Sequence, residues 1–173
     1  MRRILYPKIY VDSLLSIPLE ELQQTKIKAF IFDLDNTVTE WNSNQLRPEI
    51  VEWFGQLKEN GFQACILSNN GAERVQKVAE QLDIPFIHRA QKPRRSAFYR
   101  AVELMQVEPD EVAVIGDQVF TDVLGGNRAG LYTILVRPLH RKEFLGTKFS
   151  RGMEVFVLHR MRKHLKNGSP YVQ

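Results

Sequence analysis

Two aspartates two residues apart, Asp33 and Asp35 in "DLDNT" (33–37), stand at the end of the apolar run "KAFIF". Ser68, Asn69 and Asn70 follow a second apolar run. Lys92 follows a third in "QKP", and Asp117 and Asp122 close a fourth in "GDQVFTD" (116–122). Carboxylates gathered at one crevice repel each other and retain their protons unless a cation sits among them. Oxygen donors with no His or Cys at ligand spacing favour a hard divalent ion, and Mg2+ takes one or two carboxylates, waters and a substrate phosphate. Ser68 offers a hydroxyl and Lys92 a point positive charge, both suited to phosphate oxygens. Such a set fits phosphoryl transfer.

That chemistry requires the residues to converge, and the order of elements says how they would. Five short apolar runs read as strands, at 28–35, 62–69, 85–90, 111–117 and 131–138. Several are continuously apolar, which suits strands covered on both faces. Helical patterns lie between them. Leu46, Ile50, Phe54 and Leu57 recur at helical spacing, with Pro48 near the start and Gly61 just past the end, where a left-handed cap is wanted. Val75, Val78, Ala79 and Leu82 repeat the scheme, as do Phe98, Ala101, Val102 and Met105. Alternating strands and helices predict a three-layer α/β/α, Rossmann-like fold with a mostly parallel five-stranded sheet. In such sheets the ligand crevice lies beyond the C-terminal strand ends, where all of these polar residues stand. Taken singly, Asp35-Asn36-Thr37 would serve as a turn and helix cap, and "GGNRAG" from 125 as a loop. Their shared placement at strand ends is what favours chemistry.

"DLDNT", Ser68 after a strand, Lys92 in "QKP" and "GDQVFTD" resemble, in order, the four motifs of haloacid dehalogenase-like (HAD) phosphatases over residues 28–136. The resemblance implies that Asp33 is a nucleophile forming an aspartyl-phosphate, a role open to carboxylates. It implies that Asp35 protonates the leaving alcohol and then deprotonates the attacking water. Asp117 would hold Mg2+ with Asp33 and the backbone carbonyl of Asp35, while Ser68 and Lys92 bind the transferring group. Asp122 would stand behind the metal or orient Lys92, and Asn69, beside Ser68, is a further candidate substrate contact.

HAD phosphatases commonly carry a cap domain after the first motif or between the second and third. Here 33 residues separate Asp35 from Ser68 and 24 separate Ser68 from Lys92. One helix and one strand use up each gap, so no cap domain is expected. An uncapped crevice suits a phosphate displayed on something large: a lipid, a protein or a nucleic acid. The lead-in "YPKIYVDSLLSIPLEELQQTKIKAFIFDLDNTVTEW" (6–41) and the short uncapped body resemble the bacterial YqeG-type branch. That branch is similar to the mitochondrial phosphatidylglycerophosphate phosphatases. The resemblance implies dephosphorylation of phosphatidylglycerophosphate to phosphatidylglycerol at the cytoplasmic membrane face.

With 173 residues, 43% of them hydrophobic, the chain has the size of one domain, expected over 1–173 with its core at 28–138 and a basic segment at 139–173. The lone cysteine, Cys65, lies in an apolar run, which excludes a disulfide framework and reads as a small buried hydrophobe in a reducing cytoplasm. The N-terminus lacks an apolar run long enough for a signal peptide or membrane span. The net charge of +4 is unevenly spread: residues 1–136 hold 15 Lys and Arg against 18 acids, and residues 137–173 hold nine against two. In that tail Met153, Val157, Met161 and Leu165 form a helical stripe among Arg160, Arg162, Lys163 and Lys166. Such a helix packs on the core with a solvated basic face, or lies on an anionic membrane as a peripheral contact. No interleaved aromatics or recognition motif points to nucleic acid. The expected place is the cytoplasm, with peripheral contact at the inner membrane face. The alternatives are a phosphatase for a soluble or protein phosphate, and an RNA- or protein-binding module on an HAD scaffold.

Overall fold

The computed structural model describes residues 3–139. The basic helix expected around 153–165 therefore lies outside the described residues. Six strands, β1 (Ile9–Val11), β2 (Ala29–Phe32), β3 (Gln63–Leu67), β4 (Phe86–Ile87), β5 (Val112–Gly116) and β6 (Tyr132–Val136), form one sheet. Its order is β1-β6-β5-β2-β3-β4, and every pairing is parallel. Among the described residues five α-helices accompany the strands: α1 (Leu19–Gln23), α2 (Pro48–Glu59), α3 (Ala72–Leu82), α4 (Arg95–Met105) and α5 (Leu124–Ala129).

Side chains of a strand alternate between faces, and here both faces are covered. Phe30 and Phe32 of β2, Ala64 and Ile66 of β3, and Ala113 and Ile115 of β5 join a core with Trp53, Phe54 and Leu57 of α2 and Val75, Val78 and Leu82 of α3. Their neighbours Ala29, Ile31, Cys65, Leu67, Val112 and Val114 face the other way, onto Phe98, Ala101 and Met105 of α4 and Ala129 of α5. Two cores on opposite sides of one sheet explain why the strand sequences are apolar without alternation. Burial pushes the Cys65 thiol up to about 12, so it behaves as a hydrophobe.

The sheet has six strands where five were expected. The additional edge strand, β1, pairs Ile9 with Ile134 and Val11 with Val136, and both Ile9 and Val11 are buried. A three-residue strand with lysine and aspartate at its borders leaves little periodic signal. "GGNRAG", readable as a loop, is helix α5. Its glycines serve close approach: a Cβ on Gly125 would lie 2.3 Å from the Phe98 ring, and one on Gly126 would lie 2.7 Å from Thr133 Cγ2. Asn127 of the same helix donates to the carbonyls of Ile4 (2.8 Å) and Tyr6 (2.9 Å) and ties down the N-terminal segment. Gly61, at φ +81°, ends α2 in the left-handed conformation that glycine tolerates best. Among the described residues no inserted domain lies between β2 and β3 or between β3 and β4. No described helix is long and apolar enough to cross a membrane.

Candidate active site

The three central strands deliver the site at their C-terminal ends. β2 runs through Phe32 into Asp33, whose N–H continues the ladder to the Ile115 carbonyl at 2.8 Å. β5 ends at Gly116 and passes to Asp117, and a π-helical turn, Val119–Val123, carries Asp122 back over the strand end. Widened turns of this kind gather at functional sites. Carboxylate oxygens of Asp33, Asp117 and Asp122 lie within 4.8 Å of one another, and all three residues are buried.

Lys92 sits in this cluster with its side chain only 4% exposed. Its Nζ donates to Asp33 Oδ1 and to Asp122 Oδ1, each at 2.6 Å. Burial opposes the ammonium charge, but the Asp122 and Asp33 carboxylates outweigh it and hold Lys92 above its ordinary value, fully cationic. Asp33 moves the opposite way to an ordinary carboxyl: burial pushes it up to about 7, with Lys92 opposing and Asp122 adding to the rise. Three carboxylates held this close repel one another, and three oxygen donors, with no sulfur or imidazole among them in the described residues, fit a hard divalent ion.

Asp35, two residues along, has separate surroundings. Its carboxylate accepts from Asn70 Nδ2, from an Arg74 Nη2 and from the Asn42 backbone N–H at 3.2 Å. Arg74 also reaches the Ser43 carbonyl at 3.1 Å, which clamps the loop after β2. The two carboxylates of "DLDNT" are thus each matched to their own cation. The Asp35 side chain is not part of the three-carboxylate cluster, so any share in a metal site falls to its backbone carbonyl, as the motif resemblance implies.

Ser68 is buried, and its Oγ accepts from the Asn70 N–H at 3.2 Å. Asn69 faces the backbone of Lys92: its Oδ1 accepts from the Lys92 N–H at 2.8 Å and its Nδ2 donates to the Lys92 carbonyl at 3.4 Å. Those bonds place Asn69 behind the lysine, holding it. Trp53 is in the core, edge-on to Phe32 at 5.9 Å, whereas Trp41 is 40% exposed just beyond the first motif. Arg74 and the Asn70 contact to Asp35 did not stand out in the sequence. Arginine near the start of an amphipathic helix reads as a solvated residue, and its partner is distant in the chain.

Gly116 makes room for Asp122. A Cβ there would fall 2.3 Å from Asp122 Cγ and Oδ2, and Asp122, 1% exposed, has nowhere to retreat. Gly116→Ala is expected to lower stability by about 1–3 kcal/mol through overpacking and to weaken binding of divalent ions. Thermal melts with and without added metal check both.

The family model described as haloacid dehalogenase-like hydrolase matches residues 39–130, beginning just after the Asp33 and Asp35 that follow β2. The chain belongs to this family and is an HAD-type phosphatase. It is 40% identical over 163 residues to the Probable phosphatase YqeG of Bacillus subtilis, covering 94% of this chain and 95% of that protein. It is 29% identical to phosphatidylglycerophosphate phosphatase 1, chloroplastic/mitochondrial, of Arabidopsis thaliana, covering 95% of this chain but 51% of that protein, so it spans about half of that relative. Among solved structures, the cobalt-bound deoxy-D-mannose-octulosonate 8-phosphate phosphatase of Haemophilus influenzae shares the fold at TM-score 0.54 and 19% identity, over 67% of this chain and 70% of that one.

Proposed function

We propose that this phosphatase is Mg2+-dependent and removes the terminal phosphate of phosphatidylglycerophosphate, giving phosphatidylglycerol. The observation that carries the phosphoryl chemistry is Lys92 bridging Asp33 and Asp122 beside Asp117. The lipid substrate draws support from the Arabidopsis relative's name and from the lack, among the described residues, of a domain inserted between β2 and β3 or between β3 and β4.

In this reading Asp33, Asp117, Asp122 and the Asp35 carbonyl would hold the cation, which screens the approach of an anionic nucleophile to an anionic phosphate. Asp33 attacks phosphorus: an Asp33 O–P bond forms, the P–O bond to the glycerol breaks, and its electron pair leaves with the alkoxide. Asp35, which must first have taken up a proton from solvent, hands that proton to the alkoxide. Asp35 then takes a proton from the water that attacks the aspartyl-phosphate, and inorganic phosphate departs with Asp33 regenerated. Lys92 neutralises charge on the transferring group, with Ser68 as a hydroxyl donor to it. Arg74, Asn70 and the Asn42 N–H fix the Asp35 carboxyl so that it meets both the leaving and the entering oxygen.

Asp33 binds metal only when ionised. Because its metal-free value stands at about 7, Mg2+ affinity is expected to fall by up to about tenfold per pH unit below that point, with proton release on binding. Calorimetric titration at pH 6 and pH 8 measures this. The substrate is tested by phosphate release from vesicles of phosphatidylglycerophosphate against sugar phosphates, nucleotides and phosphopeptides. Vesicle lipid is expected to turn over fastest, and a faster soluble ester would overturn the lipid assignment. The cytoplasmic, peripheral placement follows from the same substrate and is read by co-sedimentation with anionic vesicles.

A further inference from the structure

We propose that the cavity bounded by Arg74, Lys77 and Arg89 is a second anion subsite, taking a phosphodiester carried on the same substrate as the phosphomonoester held at Lys92. The inference rests on the phosphatase reading above and adds what that substrate must carry besides the scissile phosphate.

The cavity has a volume of about 550 Å³ and lies at the start of α3, with Asn44 and Gly71 on its walls. Most of its lining residues are exposed, so it is an open depression with ample room for a phosphate group and the carbons that carry it. Three cationic side chains line it against one acid, Glu73, which is already paired with Lys77 at 2.8 Å. Arg89 is exposed and has no ion-pair partner among the described residues. Its backbone sits at φ +47°, a left-handed conformation that a non-glycine residue adopts at a cost. Arg74 spends its Nη2 on Asp35 and on the Ser43 carbonyl, and its Nε is buried, so it lends positive charge to the wall while Arg89 and Lys77 offer the donors. Cationic walls with unspent donors are the chemistry that recognises a phosphate oxygen.

Geometry joins this cavity to the phosphoryl site. The Arg89 N–H donates to the Asn70 carbonyl at 2.8 Å, and the Ala90 N–H to the Ser68 carbonyl at 3.0 Å. Asn70 in turn touches Asp35, as Arg74 does. Segments 68–74 and 88–92 thus form a wall common to both. One ligand spanning them presents a phosphomonoester to Asp33 and a second anion to Arg89. A glycerol bearing a phosphomonoester at one end and a phosphodiester at the other has that form, whether the diester is lipid-borne or free in water.

The test compares KM and kcat for three esters: an aryl phosphate with one anionic group, soluble glycerophosphoglycerol phosphate, and phosphatidylglycerophosphate in vesicles. In the Lys77→Ala/Arg89→Ala variant, KM for the soluble diester-bearing ester is expected to rise about tenfold to a hundredfold with kcat nearly constant. The rise for the aryl phosphate should be at least about tenfold smaller. Arg89→Lys should recover most of the loss, and serves with Arg89→Gln should the double variant fold poorly. An unchanged KM for the diester-bearing ester, or equal rises for it and the aryl phosphate, would overturn the subsite and leave the phosphatase reading standing. A loss confined to the vesicle arm would also overturn it, as attraction to an anionic surface. Faster hydrolysis of the soluble headgroup than of the vesicle lipid, with its KM still rising in the variant, would support the subsite and remove the lipid assignment.

Discussion

Asp33→Asn is expected to reduce phosphate-ester turnover by about 10^4-fold or more while the protein stays folded. The amide is nearly isosteric and still accepts from Lys92, so packing in the buried cluster survives. What disappears is the proposed nucleophile, and with it the proposed acyl-phosphate route. The same change should flatten one component of the pH dependence of stability. Asp33 rises from its ordinary 3.8 to about 7 in the metal-free fold, through burial first and with Lys92, Asp122 and Asp35 acting on it. The folded protein therefore binds a proton that the unfolded chain has released. The stability this confers is fully present below about pH 4 and is lost as pH rises through about 7. Metal-free Asp33→Asn lacks that slope. Rapid kinetics on an aryl phosphate and melts from pH 4 to 8 check both outcomes.

Lys92→Met should damage folding and chemistry together. Its ammonium is the cation bridging Asp33 and Asp122 at 2.6 Å each, in a place where its side chain is almost wholly buried. Removing one partner of a buried ion pair typically costs about 3–5 kcal/mol, because the remaining charges are left desolvated. The removal of a preorganised charge from the transition state costs about 10^2- to 10^3-fold in kcat. The two losses separate on adding metal. Excess divalent ion is expected to restore much of the melting temperature by satisfying Asp33 and Asp122, and to leave turnover low. Recovery of turnover along with stability would mean that Lys92 acts only by holding the carboxylates together.

Much of this architecture can be read in the sequence because the physics is local. The runs at 29–32, 64–67 and 112–116 are apolar on both sides of the pleat, so strand, burial and parallel pairing follow from composition. Asp33 and Asp117 converge because each lies just past such a run, the turn at 119–123 carries Asp122 back to them, and Lys92 joins them after a shorter strand. What escaped depends on distant or steric partners. Strand β1 exists through pairing with β6, more than 120 residues away in sequence. Helix α5 is hidden by Gly125 and Gly126, which weaken its propensity but admit the Phe98 ring and Thr133. The Arg74 pairing with Asp35 is a tertiary contact carried by a residue type that usually faces water. The separation of Asp33 and Asp35 into two environments follows from it.

The assignment of Asp33 as the attacking group can be tested by trapping. Turnover of an aryl phosphate with Mg2+ is quenched during the steady state, acyl phosphate is reduced with borohydride, and the peptides are analysed by mass. Reduction of an aspartyl-phosphate yields homoserine, expected at position 33 in the wild-type protein and absent from an Asp33→Asn control. Homoserine at another aspartate, or full turnover by Asp33→Asn, would contradict the mechanism.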